Sequence, residues 1–106
     1  MDQMINLQDL YLLALQACAE GEKLETVLQQ TGEGQGRLWL VAKGSTVPHA
    51  WIGFKFSVDD VALMVQTRDQ REIAQVVKFA EGIDGFLPQL QRCLRAGKLA
   101  APKKVA

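Results

Sequence analysis

The chain reads as an α+β domain: an N-terminal helical hairpin, a three-stranded antiparallel sheet over about 37–43, 49–56 and 60–67, and two C-terminal helices packed on one sheet face. Two observations predict this. The hydrophobic period is helical up to Gly32, alternates from Arg37 to Thr67, and turns helical again afterwards. Glycine and proline fall where those periods change, at Gly21, Gly32, Gly44, Pro48, Gly82 and Gly97.

The first helix follows from Asn6 as cap with Asp9 three residues on, and from Leu7, Leu10, Ala14, Ala17 and Cys18 at helical spacing up to Gly21. Leu12, Leu13 and Leu15 widen its apolar surface beyond one stripe, so this helix is expected either to be central or to be shared between chains. A second short helix over 22–31 would bury Leu24, Val27, Leu28 and Thr31. TGEGQG, residues 31–36, has glycines that neither follow a strand nor open a helix, so it reads as a helix-to-strand connector and not as a phosphate-binding loop.

The three strands are rich in β-formers, with GSTVP and SVDD as turns. Alternation puts Leu38, Leu40, Ile52, Phe54, Leu63 and Val65 on the core side. Trp39, Val41, Trp51, Ala62 and Met64 then lie at the centre of the opposite face, with a rim of Arg37, Lys43, His49, Lys55, Asp60 and Gln66. A five-residue loop over 44–48 would pair Val41 with Trp51 and lay Trp39 across Gly53. A four-residue turn over 57–60 would pair Gly53 with Met64 and Trp51 with Gln66. After Thr67, a Thr-x-x-Gln capping box with Gln70 predicts a third helix up to Gly82, burying Ile73, Val77 and Ala80, with Val76 beside them. A fourth helix begins near Asp84 or Gly85, takes Pro88 in its first turn, and buries Leu87, Leu90 and Leu94.

A chain of 106 residues with 48% apolar and 23% charged content has the size and composition of one domain, taken here as 1–97, followed by a basic, disordered tail over 98–106. MDQMINLQDL lacks the features of a secretory signal, and no stretch approaches the ~20 apolar residues of a membrane span, which predicts a cytoplasmic protein. Cys18 and Cys93 lack metal or redox spacing and read as free, packed thiols.

Net charge is zero but unevenly spread. Residues 1–36 carry Asp2, Asp9, Glu20, Glu22, Glu25 and Glu33 against Lys23 alone, whereas Arg92, Arg95, Lys98, Lys103 and Lys104 follow with no acid among them. The basic end suits a helix C-terminus, and it is also the footprint on which an alternative reading, nucleic-acid binding, would rest.

His49 is the single histidine, so sites that need several imidazoles are excluded. Asp59 and Asp60 are adjacent and point opposite ways in extended chain, which suits a turn better than paired acid–base catalysis. No catalytic motif, metal or cofactor is expected. Large aromatics ringed by charge have the composition of a protein-contact hot spot. The sequence therefore predicts a small non-enzymatic regulatory protein that binds a protein partner, such as a transcription regulator, or a second copy as a homodimer, through Arg37, Trp39, Val41, His49, Trp51 and Met64. Occlusion of the partner's dimerisation or target-binding interface is the mechanism open to it.

Overall fold

The computed structural model describes residues 7–100, with side chains up to residue 96. The elements run α1 (Leu7–Gly21), β1 (Leu24–Gly32), β2 (Gln35–Ala42), β3 (Pro48–Phe56), β4 (Asp60–Thr67), β5 (Glu72–Lys78) and α2 (Phe86–Ala100). The strands form one antiparallel meander in the order β1-β2-β3-β4-β5. Both helices pack on the same side of it, giving two layers around one core.

The class is α+β, but the expected helical hairpin and three-stranded sheet are not what forms. The predicted second helix over 22–31 gives way to the edge strand β1 (Leu24–Gly32), and the predicted third helix to the opposite edge strand β5 (Glu72–Lys78). The cause is a degeneracy of spacing. Residues four apart share a face in a helix and in a strand alike, so Leu24 with Leu28, and Ile73 with Val77, satisfy both periods. The residues at i+3, Val27 and Val76, decide between them, and each is 55% exposed on the far side of the sheet.

The turns follow the same logic. Lys23 adopts φ 63°, which lets two residues carry the chain from α1 into β1. TGEGQG is a β1–β2 hairpin, not a helix-to-strand connector, with Gly34 at φ 68° in the turn. The Thr67/Gln70 pair closes a β4–β5 hairpin instead of opening a helix: the Gln70 N–H donates to the Thr67 carbonyl at 2.9 Å, and the Arg71 N–H donates to Thr67 Oγ1 at 3.1 Å.

The core face is the one alternation assigns. Leu38, Leu40, Ile52, Val61 and Val65 are fully buried, and Tyr11 and Leu15 of α1 meet Phe86, Leu90 and Leu94 of α2 over them. Helix α2 starts where expected, with Pro88 in its first turn, and its backbone continues through Ala100, past the boundary set at Gly97. The capping residue Asn6 and residues 101–106 of the expected tail lie outside the described residues.

Candidate functional site

Among the described residues, no helix lies over the other face of the sheet. Its side chains stand in rows across the strands. Val27, Trp39, Trp51, Gln66 and Glu72 form one row; Gln29, Arg37, Gly53, Met64 and Ala74 form the next; Gln35, Lys55, Ala62 and Val76 form the third. The two tryptophans are direct cross-strand partners, with ring centroids 6.2 Å apart and planes inclined by 55°. Trp39 Nε1 donates to Gln29 Oε1 at 2.8 Å, which holds that ring toward β1.

Arg37 completes the cluster. Opposite Gly53, its guanidinium extends over the Trp51 ring at 4.8 Å from the centroid and reaches Trp39 at 5.8 Å. Such contacts contribute about 0.5–2 kcal/mol each, and they fix a long, otherwise mobile side chain. The ring beside Gly53 is that of Trp51, two residues back on the same strand: a Cβ built at Gly53 would stand 3.1 Å from its edge.

Below this cluster the face is concave. A groove of about 740 Å³ is lined by Gly53, Ala62, Ala74, Met64 and Val76, beside the Arg37–Trp51 stack. Small residues on adjacent strands make the depression, because their neighbours rise higher. The groove's charged lining residues are Arg37 and Lys55, and it is lined by no carboxylate, thiol or imidazole. Asp60 lies outside it, ion-paired with Lys78 across β4 and β5 at 3.8 Å.

The structure thus gathers Arg37, Trp39, Trp51 and Met64 on one face, and it pairs Gly53 with Met64 and Trp51 with Gln66 as the turn length predicts. The β2–β3 register differs by two residues from the expected one: Trp39, not Val41, opposes Trp51, and Val41 stands at the margin opposite Pro48. A β-bulge ends this ladder on the loop side. Leu40 pairs with Ala50 and Val41 with Pro48, so His49 is the extra residue. His49 is therefore not on the rim. It is 7% exposed, beneath α2, with Nε2 3.4 Å from the Leu94 carbonyl oxygen, a long hydrogen bond for the tautomer protonated there. Val27, Ala74 and Val76 belong to the face and were missed because β1 and β5 also carry helical spacing.

Elsewhere the titratable groups are engaged in structure. Burial raises the pKa of both free thiols, with Glu22 adding to the effect at Cys18 and Asp69 at Cys93, which keeps them protonated at neutral pH. Among the described residues no cluster of three His, Cys, Asp or Glu is placed to hold a metal ion, and no helix is long and apolar enough to cross a membrane. Of the basic residues behind the nucleic-acid alternative, Arg92 is exposed, whereas Arg95 Nε donates to Glu22 Oε2 at 3.0 Å and ties α2 to the end of α1. Lys98 lies in α2 beyond the described side chains, and Lys103 and Lys104 lie outside the described residues. Comparison with protein-family models, with curated proteins and with solved structures finds no match.

Proposed function

We propose that this chain is a small, non-enzymatic regulatory protein of the cytoplasm that binds another protein through the uncovered face of its sheet. One observation carries the reading: both helices lie on one side, leaving Trp39, Trp51, Arg37 and Met64 together on the other. Four strand spacings of ~4.8 Å by roughly seven residues of ~3.3 Å give the whole face, polar Gln29, Gln66 and Glu72 included, a projected area of about 440 Å². The composition agrees, since aromatic and Arg anchors dominate protein-contact energetics, and the pre-stacked Arg37 loses little side-chain freedom on binding. Occlusion is the mechanism that suits such a molecule: the face would cover the surface through which a larger protein, for instance a transcription regulator, dimerises or meets its target.

Capture of partners on the tagged full-length protein tests this, alongside the variants Met64→Glu and Val76→Glu. Both residues are exposed, at 41% and 55%, so neither change threatens the core. A protein retained in stoichiometric amount by the wild type and lost from both folded variants is the expected result. Equal retention by all three would place the contact elsewhere.

A further inference from the structure

Helix α1 has a second apolar stripe. Tyr11, Leu15 and Ala19 face the core, yet Leu7, Leu10 and Leu13 are exposed by 48%, 42% and 58%. At 100° per residue these three fall within about 120° of one another: Leu10 and Leu13 turn away from the core stripe, and Leu7 borders it beside Tyr11. Asp9 and Glu20 project along one flank of the exposed stripe, and the helix's last turn contains no basic residue. Among the described residues, two apolar surfaces thus lie open on opposite sides: an acid-flanked leucine helix and a groove whose charged lining is Arg37 and Lys55.

We propose that the groove receives helix α1 of a second copy, so that the protein self-associates head to tail; this rests on the reading of the open sheet face as a protein-binding surface. Charge selects the pairing. Two grooves set face to face would bring Arg37 and Lys55 toward their own counterparts, and two α1 stripes set together would bring Asp9 and Glu20 together. Helix against groove opposes unlike charges instead. Dimensions agree as well: a 15-residue helix is about 22 Å long against a sheet width of ~19 Å, and Leu7 to Leu13 spans ~9 Å, the width of the Gly53–Met64–Ala74 lane across three strands. The two surfaces lie on opposite sides of one molecule, so each copy offers one helix and one groove. Such a heterologous contact propagates into chains or rings instead of stopping at a two-fold dimer.

Sedimentation of the full-length protein over a wide concentration range, with circular dichroism as a control for folding, tests the proposal. The wild type is expected to grow beyond dimer as concentration rises. Leu10→Glu, which spoils the helix, and Met64→Glu, which spoils the groove, are each expected to remain monomeric. An equimolar mixture of the two should form a 1:1 dimer and nothing larger, because one partner keeps its groove and the other its helix. Lys55→Glu should raise the concentration needed for assembly by about tenfold. A wild type that stays monomeric, a dimer that survives Leu10→Glu, a mixture that fails to pair, or an assembly indifferent to Lys55→Glu overturns the proposal. If the wild type is monomeric but loses a captured partner through Met64→Glu, the self-association fails while the open face stands as a binding surface. If Met64→Glu changes neither, both fail.

Discussion

Asp69 sits in the β4–β5 hairpin between Thr67, whose hydroxyl donates to its carboxylate, and Arg71, whose Nε donates to its other oxygen at 2.9 Å. The Thr67 hydrogen bond first, and Arg71 second, hold the Asp69 carboxyl below the ordinary carboxylate range. A group whose pKa is depressed by folding contributes stability above its unfolded pKa, near 3.9, and loses it as pH falls through the lower folded value. Asp69→Asn should therefore lower the melting temperature at neutral pH, and the difference from wild type should shrink and vanish as pH falls through the lowered folded pKa in a series of thermal melts. Gly36 is constrained by space. A Cβ there collides with the Gln29 carbonyl oxygen of β1 and stands 3.1 Å from the Phe54 ring. Gly36→Ala should cost about 1–3 kcal/mol in denaturant unfolding by forcing β1 away from β2. On the open face, Gly53→Ala should shift the Trp51 ring and alter tryptophan emission while leaving the fold intact.

At the scale of elements, the two edge strands make the sharpest claim. An edge strand bonds its neighbour through alternate amides only, whereas a helix protects every amide after its first turn. Hydrogen exchange over Glu72–Lys78 should accordingly show protection at every second residue, and continuous protection would restore the helix. The three central strands were legible because Leu38, Leu40 and Ile52, Phe54 recur every second residue, and α2 because Cys93 between Leu90 and Leu94 fits a helix alone; α1 was legible as a helix, but its buried residues are Tyr11, Leu15 and Ala19, while Leu7 and Leu10 of the expected stripe are exposed. β1 and β5 were not, because Leu24 with Leu28 and Ile73 with Val77 stand four apart, and only the exposure of Val27 and Val76 separates the alternatives. The Trp39–Trp51 face was legible from alternation alone. The displacement of His49 from it was not, since a bulge leaves no composition signal beyond Pro48 and changes sidedness within a single residue.

For the whole molecule, two helices suffice to cover one face of five strands. Leu15→Ala, at the fully buried junction of α1 with the core, should destabilise by about 2–5 kcal/mol, and Leu10→Ala, on the outer stripe of the same helix, by less than about 0.5 kcal/mol. That contrast would separate the part of α1 that holds the fold from the part left for contact. The uncovered sheet face is the feature from which the functional reading follows, and the chain supplies its own reporter: both of its tryptophans, Trp39 and Trp51, lie on that face. The most direct measurement is acrylamide quenching of their fluorescence, in dilute protein and again in the assembly it forms with further copies or with a captured partner. Rings that are open to the quencher when dilute and shielded in the assembly are what an uncovered binding face predicts. Rings already shielded in the dilute monomer, or equally open after assembly, would contradict it.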